Sequence, residues 1–258
     1  MRRLRTVNVV RPVETGHHQG LAYTLWREPE PAADTHRSAA GGILVLHGAG
    51  SSKESHHDFA RAAIGAGLAA LCFDQRGHGE SQGRMDGRVA QDVASMAGLL
   101  RERLGGAAAP IALRGSSLGG YMAIAAAQAA AAQAVVAICP APAEMIRAGL
   151  RRKAYRFAVD VEPLDAFLAE HDLVTAAGCL EVPVLLLHAE GDHRVPVAVS
   201  QELSQHLRSP DSRLIVVPGG HHQSIQHDPE LQALSLRFIE RALAGQPSRS
   251  AGATGGAC

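Results

Sequence analysis

The chain has 258 residues, enough for one large α/β domain or two small ones. It is 46% hydrophobic and 19% charged, with 27 glycines and 13 prolines, the balance of a globular protein that can bury a core. Lysine plus arginine and aspartate plus glutamate are both 25, so the net charge of zero favours neither nucleic acid nor an anionic membrane as partner.

Taken in chain order, Thr6–Val10 and Leu21–Trp26 hold apolar, β-branched or aromatic residues and read as an opening, antiparallel pair of strands. Arg11-Pro12 and Thr15–Gly20 separate them, and Glu28–Ala40, rich in Pro, Ala, Asp and Ser, reads as a surface loop. Ile43–Leu46 is a continuous apolar run, as expected of a strand buried on both faces, and His47-Gly48-Ala49-Gly50 follows its C-terminal end. A helix from about Glu54 to Ala66 stops at Gly67. The buried strand Ala69–Phe73 runs into the glycine-rich turn Asp74–Ser81. Val89, Val93, Met96, Leu99, Leu100 and Leu104 place an amphipathic helix over Arg88–Leu104.

The strand beginning at Ile111 leads into Gly115-Ser116-Ser117-Leu118-Gly119 and then into the Ala-rich, helical run Tyr121–Ala134. A further strand, Ala134–Ile138, is followed by Ala141–Gly178, where two helices fit best, near Ala143–Phe157 and Pro163–Glu170. This insertion, 141–178, is a candidate lid. Its basic cluster of Arg147, Arg151, Arg152, Lys153 and Arg156 reads as a solvated helix face; the other reading is a patch near the site entrance that favours acidic substrates. The strand Val182–His188 ends in Gly191-Asp192-His193-Arg194-Val195-Pro196. A helix over about Ala198–Leu207, the strand Arg213–Val217, the loop Pro218-Gly219-Gly220-His221-His222 and a helix over Pro229–Ala244 complete the pattern. The domain expected is 1–244, with 245–258 a disordered tail.

Strands alternating with helices from Ile43 onward imply a mostly parallel sheet covered on both faces. Ligands of such sheets bind beyond the carboxyl ends of the strands. His47, Ser117, Asp192 and the pair His221-His222 all fall just after such ends. The strand–turn–helix around Ser117 puts its hydroxyl above the sheet beside a helix N-terminus, whose free N–H groups can stabilise an oxyanion. A serine hydroxyl is a poor nucleophile at neutral pH; an imidazole can take its proton, and a buried carboxylate fixes the imidazole tautomer.

These motifs, in the order Ser, Asp, His over roughly Gly41–Ala244, resemble the α/β-hydrolase superfamily. The resemblance implies an α/β-hydrolase fold with a short helical lid. It implies Ser117 as nucleophile, Asp192 as triad acid and His222 as general base, with His221 as the alternative. The oxyanion donors would be the backbone N–H groups of Leu118 and Ala49, with Gly50 adjacent to the latter. His47, Asp74, Arg76 and His78 read as structural, and His188, His193 and His227 as strand-end or loop residues. The expected activity is a serine hydrolase of the carboxylesterase type, acting on a small-molecule ester or thioester through an acyl-enzyme. Thioesterase, acyltransferase, peptidase and C–C bond hydrolase share the machinery. A non-catalytic ligand-binding member of the fold is the reading from another class.

No cofactor is expected, since no Gly-x-Gly-x-x-Gly follows a first strand and no P-loop is present. No metal is expected either. The paired histidines 17–18, 56–57 and 221–222 point opposite ways in extended chain, and no His-Glu-x-x-His or Cys/His cluster occurs. Cys72, Cys139, Cys179 and Cys258 fit no disulfide scaffold; Cys72 and Cys139 lie in apolar runs as small core residues. Without a signal-peptide pattern or an apolar span, the expected location is cytoplasmic, with no membrane span and an oligomeric state left open.

Overall fold

The computed structural model describes residues 11–28 and 40–245. Among these described residues, eight strands form one sheet in the order β1-β2-β4-β3-β5-β6-β7-β8. They are β1 (Glu14–His18), β2 (Leu21–Trp26), β3 (Gly42–Leu46), β4 (Ala69–Phe73), β5 (Ile111–Ser116), β6 (Ala134–Ile138), β7 (Val184–Ala189) and β8 (Arg213–Val217). β1, β2 and β4 pair antiparallel, and every pairing from β4 through β8 is parallel.

The parallel strands are continuous apolar runs because both faces are covered. Leu44, Leu46, Ile111, Leu113, Val135 and Ala137 face one core with α2 (Val89–Arg103), α3 (Leu118–Ala125) and α7 (Val197–His206). Ile43, Val45, Ala112, Val136 and Ile138 face the other, under α1 (His57–Gly65) and α8 (Pro229–Ala244). Asp228 caps α8 by accepting from the N–H groups of Glu230 and Leu231, with Pro229 at the first helical position. No helix among the described residues is long and apolar enough to cross a membrane.

Three elements differ from the sequence expectation. Strand β1 occupies Glu14–His18, where a separator was expected; Gln19 and Gly20, both at positive φ, make the two-residue turn into β2. Thr6–Val10 lies outside the described residues, as do 29–39 of the expected surface loop and 246–258 of the expected tail. The Ala-rich run is helical only to Ala125 and continues as turns, with Ala131 at φ 47° leading into β6.

The segment between β6 and β7 holds three helices rather than two: α4 (Ala143–Arg151), α5 (Val161–Glu170) and α6 (Leu173–Gly178). The α4 helix stops at Arg151 and the chain turns through Lys153, at φ 51°. Asp172 caps α6, which packs on α3 and α7 with Leu173 and Ala177 buried in the main core. The α4 and α5 helices pack on each other, and Ile146, Leu150, Leu164 and Leu168 carry them into the same core.

Candidate active site

Ser117 sits between β5 and α3 at φ 55°, ψ −115°, a conformation that costs a non-glycine residue about 1–3 kcal/mol. The surroundings hold it there. Its N–H donates to Ile138 O (2.9 Å), and its carbonyl accepts from Tyr121 N (3.0 Å) and Ala141 N (3.2 Å). The flanking glycines are required by close approach. A Cβ on Gly115 would lie 2.0 Å from Gly119 O, and one on Gly119 would lie 2.2 Å from Leu46 O. The spacing Gly-x-Ser-x-Gly thus lets helix α3 press its first turn against the ends of β3 and β5.

The loop after β7 carries Asp192, whose side chain is fully buried. Its Oδ1 accepts the N–H groups of Arg194 (2.8 Å) and Val195 (2.9 Å). Its Oδ2 lies 2.6 Å from Nδ1 of His222, in the loop after β8. Burial opposes ionisation of Asp192, but the Val195 N–H, the His222 ring and the Arg194 N–H outweigh it and hold the carboxyl below its ordinary range. His188 Nε2 is 3.6 Å from the same oxygen but is committed to Val195 O (2.9 Å), while its Nδ1 meets Ser200 Oγ (2.7 Å).

Of the two adjacent histidines, His222 meets Asp192 and His221 is exposed. The cause is local. Gly219 and Gly220 take φ 65° and 69°, which swings the chain back over the Asp192 loop. Gly191 N–H donates to Gly219 O (2.9 Å), and a Cβ on Gly191 would lie 2.5 Å from Gly220 O. Ser224 Oγ accepts the His221 N–H and donates to the His221 carbonyl, which holds His221 on the outer side of the turn.

Leu118 is the first residue of α3, where a backbone N–H has no partner within the helix. In the loop after β3, Gly50 N–H donates to His78 Nε2 (3.1 Å) and is committed, unlike that of neighbouring Ala49, for which no acceptor is found among the described residues. His47 is structural. Its Nε2 accepts Gln75 N–H and its Nδ1 faces Gly48 O, while burial pushes its pKa down to about 4. Asp74 is structural too, accepting from Lys53 N, Lys53 Nζ and Glu80 N. Arg76 is paired with Asp92 (2.7 Å).

Sequence reasoning missed a tie beneath the site. Arg114, on β5 three residues before Ser117, is fully buried and stacked 3.9 Å over the Phe59 ring. Its Nη2 donates to Gln226 O (3.0 Å), and Ser116 Oγ donates to Gln226 Oε1 (2.8 Å). The strand that carries Ser117 therefore grips the loop that carries His222. An arginine inside an apolar run was the available signal, since such a charge is buried only for a partner.

A fold with a serine at a strand-to-helix turn and a carboxylate–imidazole pair at two later strand ends defines the α/β-hydrolase class. The chain belongs to this family: the family model Hydrolase_4, described as "Serine aminopeptidase, S33", matches residues 37–164 and 163–230. Two uncharacterized proteins of Mycobacterium tuberculosis, from strains CDC 1551 / Oshkosh and ATCC 25618 / H37Rv, are each 30% identical over 227 residues, covering 82% of this chain and 75% of theirs. Among solved structures, the monoacylglycerol lipase of Paleococcus ferrophilus is similar with a TM-score of 0.66 at 20% identity, covering 87% of this chain and 98% of that one. Est1E from Butyrivibrio proteoclasticus, bound to ferulic acid, gives 0.65 at 18% identity over 90% and 98%. TT1662 from Thermus thermophilus gives 0.66 at 23% over 90% and 99%. The family model shows an α/β hydrolase, and the solved structures show its fold.

Proposed function

We propose that the protein is a serine hydrolase that cleaves an ester-type bond of a small molecule through an acyl-enzyme, in the manner of a carboxylesterase. The observation that carries this reading is the 2.6 Å contact between buried Asp192 and His222, at the same sheet edge as Ser117 on its strained turn. In this mechanism Ser117 Oγ attacks the carbonyl carbon while His222 Nε2 takes its proton. Asp192 keeps the other ring proton on Nδ1 and steadies the imidazolium. The N–H groups of Leu118 and Ala49 receive the oxyanion. The imidazolium returns its proton to the departing alcohol, and a water activated by His222 releases the acid.

We assign the choice of acyl or alcohol group to the cap α4–α5. Phe157, between these helices, stacks on His78 at 4.2 Å, and His78 in turn holds the N–H of Gly50, next to Ala49. The cap and the oxyanion loop thus share one side chain.

The test is a panel of p-nitrophenyl esters of rising acyl length, with matching thioesters and aminoacyl anilides, and labelling by a fluorophosphonate. Ester turnover and labelling, both lost in Ser117→Ala, are expected. Full activity in Ser117→Ala overturns the nucleophile, and absence of labelling in the native chain favours a non-catalytic member of the fold. Faster turnover of anilides than of esters replaces esterase by peptidase with the same residues.

A further inference from the structure

We propose that Cys139, Asp192 and His222 form a binding site for a soft divalent cation of the zinc type, and that filling it switches the hydrolase off. The metal half stands on geometry alone; the inhibitory half rests on the catalytic reading above.

Cys139 Sγ, a carboxylate oxygen of Asp192 and a ring nitrogen of His222 lie within 4.8 Å of one another. They come from the ends of β6, β7 and β8, so the sheet itself brings them together. Thiolate, carboxylate and imidazole are the ligands that zinc takes, and hard cations such as magnesium avoid the first. Zinc holds sulfur at about 2.3 Å and nitrogen or oxygen at about 2.0–2.2 Å, which separates donors in a tetrahedral site by roughly 3.4–3.6 Å. The Asp192–His222 pair, now at 2.6 Å, therefore opens by about an ångström through side-chain rotation, and the sulfur, already within 4.8 Å of both, completes the site.

The setting favours a dication. Cys139 is 1% exposed, and its N–H is pinned to Leu187 O (2.8 Å), so the sulfur is placed by the sheet end. Oδ1 of Asp192 keeps its two backbone donors, which orient the carboxylate while the other oxygen binds. A thiolate and a carboxylate neutralise the ion, so no net charge is left in the buried site. His222, with its side chain 11% exposed, is the side from which the ion and a fourth, water ligand enter.

The step balances without redox chemistry. The Cys139 thiol gives its proton to solvent, and sulfur, carboxylate and Nδ1 each donate a lone pair to the ion. The ring of His222 stays neutral, but its proton moves from Nδ1 to Nε2. An Nε2 that carries a proton cannot accept the one on Ser117.

The experiment uses the full chain without a purification tag. Cobalt(II) is titrated into the native protein, Ser117→Ala and Cys139→Ser, and the thiolate-to-cobalt charge-transfer band is followed, with zinc as competitor. Ester hydrolysis is measured against zinc and magnesium and after a chelator. A band of one cobalt per chain is expected in the native protein and in Ser117→Ala, displaced by zinc and lost in Cys139→Ser. Zinc, not magnesium, is expected to inhibit reversibly. The midpoint in Cys139→Ser, scaled to its own uninhibited rate, rises at least about tenfold, as loss of one zinc ligand implies. A native protein without the band overturns the site, as does a band or a zinc midpoint that Cys139→Ser leaves unchanged. A band in a protein without esterase activity supports the site and overturns the catalytic reading instead.

Discussion

His221 and His222 have the same side chain and adjacent positions, yet the glycine pair before them sends one inward and one out. A base without an orienting carboxylate loses its tautomer, and a carboxylate without its base has nothing to orient. Replacing His222 by Ala is therefore expected to lower kcat for an ester substrate by about 10⁴-fold, while His221→Ala stays within about threefold of the native rate. Steady-state kinetics of the two variants, each checked for a native unfolding transition, decide the point. Equal losses would mean that the turn, and not the ring on Asp192, is what matters. His188 is the third ring near Asp192, but both of its nitrogens are occupied by Val195 O and Ser200 Oγ, so it supports the loop.

At the scale of elements, two contacts set the site: the wedge of α3 against β3 and β5, and the grip of β5 on the histidine loop. A methyl at position 119 meets the backbone carbonyl of Leu46, which cannot rotate away. Gly119→Ala is expected to cost on the order of 2 kcal/mol of stability, as overpacking does, and to depress activity with it. Urea denaturation alongside the ester assay measures both. The grip is tested separately with Gln226→Ala, which removes the acceptor for Ser116 Oγ while leaving the backbone carbonyl that Arg114 binds. A fall in kcat of about tenfold with KM held is expected, because on the proposed mechanism the loss falls on placement of the base and not on substrate binding. A change confined to KM would put Gln226 in the substrate pocket instead. Nothing in the sequence marks Ser116 for this contact, because its partner lies 110 residues away.

For the whole molecule, the sheet was legible because each parallel strand is an apolar run buried on both faces, and the gathering of the candidate residues at one sheet edge because they follow strand ends. Strand β1 was not: Glu-Thr-Gly-His-His has no apolar face, and its pairing is set by the turn at Gln19-Gly20 and by β2. Nor was the cluster of Cys139, Asp192 and His222 legible, since only the folded sheet edge unites residues spread over three strand ends. The histidines show the same limit. Their number could be counted, but not that four among the described residues are buried. Burial pushes the pKa of His47 down to about 4, that of His56 well below the ordinary value of 6.5, and lowers those of His78 and His188. In the unfolded chain these rings take up protons as the pH falls through about 6.5, while the native fold refuses them, so the unfolded state gains. Stability contributed by neutral burial is thus complete above about pH 6.5 and is lost as the pH falls toward 4; for His47 alone this is about 3 kcal/mol. The lowered carboxyls of Asp58 and Asp192 act in another window, because what they contribute is lost only as the pH falls below the ordinary aspartate range. The urea midpoint is therefore expected to fall steeply between pH 6.5 and pH 4.5, before those carboxylates titrate. His47→Gln keeps an acceptor for the Gln75 N–H but takes up no proton, and should flatten that fall. A midpoint that holds level down to pH 4.5 in the native chain would show that the buried histidines do not govern its acid stability.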